Sequence, residues 1–267
     1  MKKTVVLYPG LAVSHFVPMM QLADALLEEG YAVVVAVIDI TNEQNTAFAA
    51  AVDRAAASKP SVTFCALPRI KDPPTVAFDA RFILGYFELV RRYNKHLGEL
   101  LCSLPAGSVH AVIVDALSND ALDVTREMGI PAYTFFGWGA SALAASFQLS
   151  LIPTEGQLSF KELGDSPLDL FGVPPVPASH LFHEFLEEPK SEIYQAMARA
   201  LGALEDPRFP FLPGSEVTVP PAYAVGPLVE KAGETKAKHE CLAWLDKQPK
   251  HSVVFLCFGS MGFHSED

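Results

Sequence analysis

A histidine and an aspartate in this sequence are the residues whose types and positions could support acid–base chemistry. His15 closes the segment 9–15, PGLAVSH, between a short apolar run and an amphipathic stretch. A neutral imidazole there could accept a proton at about pH 7. Asp115 directly follows the apolar run Val112–Val114. A carboxylate that holds one ring nitrogen lets the other act as a base, so the two residues are candidates for a general base and its partner.

Each of these residues also has a purely structural interpretation. A histidine in a strand-to-helix turn often makes only a hydrogen bond at the start of the helix. An aspartate that follows a strand often caps the next helix. Asp120 is a second candidate for that capping position. The spacing alone therefore leaves both interpretations open for His15 and for Asp115.

The elements that would position this pair come from the first half of the chain. Apolar, β-branched runs alternate there with segments of helical period, which is typical of parallel βαβ units. The predicted strands are Thr4–Tyr8, Ala32–Ile38, Val62–Ala66, Ala111–Val114 and Ala132–Phe136. The predicted helices are one from Phe16 to Gly30, then Glu43–Ala57, Phe82–Leu101, Asp120–Met128, Ser191–Leu204 and Lys238–Lys247. The predicted fold is α/β, a doubly wound, mainly parallel, Rossmann-like sheet, which binds ligands beyond the carboxyl ends of its strands.

The second half of the chain departs from this alternation. Ten prolines lie between residues 167 and 221, and no β-branched run continues the sheet between Pro177 and Pro213. One strand of the fold is therefore expected to be missing near residue 200. Ala222–Val225 is a candidate for a short strand, and Ser252–Phe258 has the pattern of a buried strand.

Composition and motifs exclude several classes of protein. The chain has 20 Lys and Arg against 31 Asp and Glu, a net charge of −11. It has no basic cluster that would bind a nucleic acid. Its apolar stretches are too short to span a membrane, and its start does not resemble a signal peptide, so a cytoplasmic protein is expected. Its four cysteines have no zinc-site spacing, and no metal site is expected.

The usual nucleotide and hydrolase motifs are missing from the sequence. The first strand-to-helix turn is not Gly-x-Gly-x-x-Gly, although Asp39 stands where a ribose-binding acid would be expected. No phosphate-binding loop of the NTPase kind and no Gly-x-Ser-x-Gly elbow occur either. A nicotinamide dehydrogenase, an NTPase and an α/β-hydrolase are therefore disfavoured.

Several segments together resemble plant family-1 UDP-glycosyltransferases, whose GT-B fold has two facing Rossmann-like domains. The segments are 14–18 (SHFVP), 112–115 (VIVD), 120–124 (DALDV), 225–228 (VGPL), 241–246 (CLAWLD) and 252–260 (SVVFLCFGS). The resemblance covers essentially the whole chain, and it is strongest to the monocot enzymes that act on phenolic and flavonoid-like acceptors. It implies that this chain is the N-terminal, acceptor-side half of the GT-B fold.

The resemblance also implies a reaction and a set of site residues. A sugar, expected to be glucose, would pass from a UDP-sugar co-substrate to a hydroxyl of a small phenolic acceptor with inversion, without a metal or another cofactor. His15 would be the general base, and Asp115 would stabilise its imidazolium form. The implied acceptor contacts, each with a core role as the alternative, are Phe16, Phe82, Phe87, Phe136 and Trp138. The implied donor contacts are Gly10, Gly137 and Ser260.

By this resemblance, residues 1–229 form the acceptor-binding domain, 230–251 a linker, and 252–267 the first strand of a truncated donor-binding domain. The family's C-terminal donor signature lies outside the 267 residues, so the chain alone is expected not to transfer sugar. The alternative is a catalytically inactive fragment that binds an acceptor or a partner protein. Trp138 stands where relatives have a hydroxyl-bearing residue near the donor sugar, so it would either occlude that site or turn aside.

Overall fold

A five-stranded parallel sheet forms the centre of the fold. In the computed structural model, the described residues are 2–39, 46–76, 81–149, 152, 158–202, 221–226, 228 and 240–254. The strands are β1 (Thr4–Tyr8), β2 (Ala32–Ile38), β3 (Val62–Leu67), β4 (Val109–Asp115) and β5 (Ala132–Phe135). They lie in the order β3-β2-β1-β4-β5, and each neighbouring pair is parallel. The predicted α/β doubly wound sheet is confirmed.

Helices connect and cover these strands. They are α1 (Val13–Glu28), α2 (Thr46–Ser58), α3 (Phe82–Ser103), α4 (Leu122–Glu127), α5 (Ala140–Leu149), α6 (Phe160–Leu163), α7 (Glu192–Gly202) and α8 (Glu240–Leu245). Short 3₁₀ helices occupy Ala116–Ala121, Ala178–His180 and His183–Leu186. Two short strands, β6 (Pro167–Leu168) and β7 (Val176–Pro177), form a separate antiparallel pair.

The order of the strands fixes where a ligand site can form. The chain moves outward from β1 to β3 and then returns to the other side of β1 to place β4. Tyr8, the last residue of β1, is in register with Val114 near the end of β4. The connections after β1 and β4 therefore run in opposite directions along the sheet, and such a switch point is where doubly wound folds bind their ligands.

The core lies on both faces of this sheet. All five residues of β1 are buried, as expected for a central strand of a parallel sheet covered by helices on both sides. From α1, Phe16, Met19 and Met20 belong to the core. From α3, the buried residues are Ile83, Tyr86, Phe87, Leu89, Val90, Tyr93, Leu97 and Leu101.

The chain separates into two compact units, Met1–Val225 and Gly226–Asp267. The predicted domain limits at 229 and 251 stay predictions. Residues 221–226 contain no strand, so the short strand predicted at Ala222–Val225 is wrong. Prolines at 220, 221 and 227 flank this segment and lack the backbone N–H that strand pairing needs.

Two further predictions concern residues that the structure does not fully describe. Around residue 200, where one strand of the fold is expected to be missing, α7 occupies Glu192–Gly202 and the described residues 178–202 contain no strand; residues 203–220 lie outside the described ones. Of the strand predicted at Ser252–Phe258, residues 252–254 are described and are not in a strand; the remainder lies outside the described residues. Both therefore stay predictions.

Two glycines of α3 should respond in opposite ways to the same substitution. A Cβ on Gly98 would lie 3.5 Å from Val124 Cγ1, an ordinary contact, whereas one on Gly85 would overlap the Thr75 carbonyl oxygen. We expect Gly98→Ala to raise the free energy of unfolding by about 0.5–1 kcal/mol, because alanine favours the helix. We expect Gly85→Ala to lower it by about 1–3 kcal/mol, because backbone must move. Urea unfolding measures both; equal stabilities for the two variants would contradict this packing of α3.

Tyr8 has a buried hydroxyl without a hydrogen-bond partner among the described residues. Burial, together with the neighbouring Tyr86 and Tyr93, raises its pKa well above the ordinary value of 10.0. The folded chain therefore keeps this proton at a pH where the unfolded chain loses it, and the free energy of unfolding should fall as the pH rises above about 10.

Tyr8→Phe removes that unpartnered hydroxyl and leaves the ring. We expect the variant to be more stable than the wild type by about 1 kcal/mol at neutral pH, because the desolvated group is gone. We also expect it to lose less stability above about pH 10. Urea unfolding at several pH values measures both effects, with Tyr133→Phe on the exposed side of β5 as the control. A Tyr8→Phe variant less stable than the wild type would show that the hydroxyl has a favourable partner.

Candidate active site

The pair His15–Asp115 lies at the carboxyl ends of β1 and β4. His15 lies in the first turn of α1, where its backbone N–H donates to the Ala12 carbonyl at 3.0 Å. Asp115 is the last residue of β4. Nδ1 of His15 lies 2.9 Å from Oδ2 of Asp115, and the two side chains are 14% and 1% exposed. The structure thus brings together the two residues that are predicted from the sequence to be a general base and its partner.

Asp115 uses its two carboxylate oxygens for different purposes. Oδ1 accepts a hydrogen bond from the Leu117 backbone N–H at 3.0 Å and so caps the 3₁₀ helix Ala116–Ala121, while Oδ2 faces His15. The capping and pairing interpretations therefore hold at the same time. The competing residue, Asp120, lies inside the 3₁₀ helix and instead accepts from Arg91 Nη1 at 3.1 Å.

The protonation of the His15 ring follows from this contact. An ionised carboxylate can only accept hydrogen bonds, so Nδ1 of His15 is assigned as the donor to Asp115. In a neutral imidazole the other nitrogen, Nε2, then carries a lone pair and can accept a proton. A buried carboxylate next to the ring also stabilises the imidazolium that forms when Nε2 is protonated.

Gly10 allows the loop after β1 to approach Asp115. A Cβ at this position would lie 2.8 Å from Oδ1 of Asp115 and 3.2 Å from Cβ of His15. Any larger residue would therefore collide with the pair itself. The donor-binding role that the resemblance implies for Gly10 stays a prediction.

An aromatic cluster adjoins the imidazole. The Trp138 ring meets His15 edge-on, with centroids 4.9 Å apart, and it also contacts Phe136 at 4.8 Å and Phe182 at 6.2 Å. Trp138 is 39% exposed, so the cluster presents part of an aromatic face to solvent beside the base. The indole is thus turned toward His15. Phe182 lies in the proline-rich segment between two 3₁₀ helices, where no periodic pattern distinguished it.

The remaining residues that the resemblance implies for the acceptor and donor sites do not all lie beside the His15–Asp115 pair. Phe16 and Phe87 are 1% and 6% exposed and belong to the core, which agrees with their alternative core role; their acceptor contacts stay predictions. Phe82 is half-buried and packs on Tyr86. Gly137 is exposed beside Phe135, and Ser260 lies outside the described residues.

No group of three or more His, Cys, Asp or Glu side chains in the described part of the chain is placed to hold a metal ion. Among the same residues, no helix combines the length and the apolar character that crossing a membrane requires.

Comparison with known proteins identifies relatives of this chain, although no family model matches it. UDP-glycosyltransferase 1 of Pueraria montana var. lobata is 30% identical over 296 residues, which cover 98% of this chain and 60% of the relative. Malvidin galactosylase of Oryza sativa subsp. indica is 31% identical over 284 residues, with coverages of 98% and 58%. The chain is a homologue of the plant UDP-glycosyltransferases. The resemblance found in the sequence motifs is confirmed, while a particular kinship with the monocot enzymes stays a prediction.

Solved plant UDP-glycosyltransferase structures have the same fold. UGT71G1 of Medicago truncatula, complexed with UDP-glucose, superposes with a TM-score of 0.77 at 23% identity and covers 99% of this chain. A UDP-glucosyltransferase of Polygonum tinctorium superposes with a TM-score of 0.74 at 24% identity and covers 93%. This chain covers 61% and 57% of those two structures, and it likewise spans about 60% of the length of the curated relatives it matches.

Proposed function

We propose that this chain is the acceptor-activating part of a UDP-dependent glycosyltransferase. In this proposal a sugar, glucose, passes from UDP-glucose to a hydroxyl of a small phenolic or flavonoid-like acceptor, and its anomeric configuration is inverted. The observation that carries the proposal is the 2.9 Å contact between His15 and Asp115 at the switch point of the sheet. The protein would act in the cytoplasm on two small molecules.

His15 and Asp115 would activate the acceptor by general-base catalysis. As the acceptor oxygen forms its bond to the anomeric carbon, Nε2 of His15 takes the hydroxyl proton. The bond from that carbon to the UDP oxygen breaks, and UDP leaves with the electron pair. Asp115 stabilises the positive charge that appears on the imidazole, through the hydrogen bond at Nδ1. One displacement at the anomeric carbon inverts its configuration.

The aromatic cluster supports a phenolic acceptor. Trp138, Phe136 and Phe182 lie next to the imidazole and offer flat apolar faces, and a phenol ring packs favourably against such faces. Curated relatives include an anthocyanidin 5,3-O-glucosyltransferase of a Rosa hybrid cultivar and a phloretin 2'-O-glucosyltransferase of Pyrus communis. Both of those names describe enzymes that act on phenolic compounds.

The proposal is tested by assaying sugar transfer from UDP-glucose to a panel of phenols. The chain spans about 60% of the Pueraria enzyme. The assay therefore uses two proteins: the chain by itself, and a fusion in which the chain is followed by the part of the Pueraria enzyme that lies beyond the matched region. We expect the fusion to form a β-glucoside from the α-linked donor, and a metal chelator to leave the rate unchanged. Acceptor binding without transfer by the fusion would support instead a catalytically inactive, acceptor-binding protein.

A further inference from the structure

Tyr86 lies behind the proposed site and contacts both of the segments that carry it. This residue comes from α3, and its side chain is 2% exposed. Its hydroxyl lies 2.8 Å from Oγ of Ser118 in the 3₁₀ helix that Asp115 caps. The same hydroxyl is hydrogen-bonded by the backbone of Leu11, in the loop between β1 and α1 that leads to His15.

The two contacts join segments that are far apart in the sequence. Leu11 precedes His15 by four residues, and Ser118 follows Asp115 by three. The loop and the 3₁₀ helix leave adjacent strands at the same edge of the sheet, and α3 packs against that 3₁₀ helix. One buried hydroxyl therefore connects the loop that leads to His15 with the 3₁₀ helix that follows Asp115.

The chemistry of the hydroxyl suits a fixed bridge. Burial, and then the negative charge of nearby Asp115, raise the pKa of Tyr86 far above its ordinary value. It therefore remains a neutral O–H group that both donates and accepts hydrogen bonds. The contrast with Tyr8 is informative, since that buried hydroxyl has no partner among the described residues. Phenylalanine would fill the same core volume at position 86 without making either contact.

We propose that Tyr86 is a positioning residue for the His15–Asp115 pair, because its hydroxyl bridges the β1–α1 loop and the 3₁₀ helix after β4. Tyr86 does not touch the reacting atoms; it acts through the backbone of the two segments. Its loss should let the imidazole and the carboxylate move relative to each other, which weakens the hydrogen bond at Nδ1. The effect on catalysis rests on the proposed function, whereas the effect on the geometry of the pair does not.

The test compares Tyr86→Phe with Tyr93→Phe in the complete chain. Tyr93 is a matched control because it lies on the same helix, is also 2% exposed, and hydrogen-bonds the backbone of Ile70 instead of either site segment. Nitrogen-15 NMR of the His15 ring reports which nitrogen carries the proton. We expect a single Nδ1–H form in the wild type and in Tyr93→Phe, and a mixture of the two tautomers in Tyr86→Phe.

A second variant and a kinetic measurement separate positioning from simple loss of stability. Ser118→Ala removes the other end of the bridge, so it should produce the same NMR change, and combining it with Tyr86→Phe should add little. In the fusion enzyme we expect kcat to fall about 10-fold in Tyr86→Phe with KM for the acceptor unchanged. If Tyr86→Phe does not fold, Ser118→Ala alone decides the outcome.

Each result has a distinct meaning. A His15 ring with the wild-type tautomer in Tyr86→Phe and Ser118→Ala would overturn the positioning role. A changed tautomer combined with sugar transfer that does not depend on His15 would support the positioning role and reject the proposed base. Equal changes in Tyr86→Phe and Tyr93→Phe would show a general effect of altering α3, and would also overturn the proposal.

Discussion

Replacement of His15 by alanine is expected to lower kcat for sugar transfer by about 10²–10⁴-fold, the usual contribution of a general base. The change removes the ring nitrogen that accepts the acceptor proton and leaves the fold of α1 intact, because alanine is a good helix former. The side chain is 14% exposed, so its removal should have a smaller effect on stability than on rate. The measurement is kcat of the fusion enzyme with UDP-glucose and a phenol.

The control for this variant is His96→Ala. His96 also pairs with a carboxylate, since its Nδ1 lies 2.9 Å from Glu99 Oε2, but that pair lies on the surface of α3. We expect His96→Ala to retain the wild-type kcat. Equal losses in the two variants would show that deleting a histidine disturbs the fold, and wild-type activity in His15→Ala would exclude His15 as the base.

Gly10→Ala is expected to cause the second large loss of activity, about 10²-fold in kcat, because it displaces the partner of the base. The new Cβ would stand 2.8 Å from Oδ1 and 3.0 Å from Cγ of Asp115. Asp115 is 1% exposed and held by Leu117 N–H, so its carboxylate cannot move aside without breaking a hydrogen bond. We also expect the free energy of unfolding to fall by about 1–3 kcal/mol.

Gly139→Ala is the matched control for this steric effect. Neither glycine has the positive φ that alanine disfavours, and a Cβ on Gly139 would meet no atom within 4 Å. We therefore expect Gly139→Ala to keep nearly the wild-type rate and stability. If Gly10→Ala were as active as Gly139→Ala, the close packing of the loop against Asp115 would not matter for the reaction.

The sequence predicts the central strands well because they are buried on both faces of the parallel sheet. The ranges predicted for β1 and β2 agree with the structure residue for residue, since both are unbroken apolar runs. Strand β4 was predicted to end at Val114 and in fact includes Asp115. A buried aspartate at the end of a strand interrupts the apolar pattern, although its backbone still pairs with β5.

The candidate site could be predicted only in part. The positions of His15 and Asp115 after adjacent strands indicated that they would meet. No local pattern could show that Asp115 both caps a helix and pairs with the histidine, because this depends on the separate directions of its two oxygens. Tyr86 and Phe182 were not predicted as site residues, since their contacts with Ser118 and Trp138 join distant parts of the chain.

The most direct test of general-base catalysis by His15 uses a series of phenolic acceptors of graded acidity. The ratio of kcat in the wild-type fusion to kcat in His15→Ala is measured for each phenol at one pH. We expect a ratio of about 10²–10⁴ for weakly acidic phenols, falling toward one for phenols that are already ionised and have no proton to give. A ratio that stayed the same across the series, or stayed at one throughout, would contradict proton abstraction by His15.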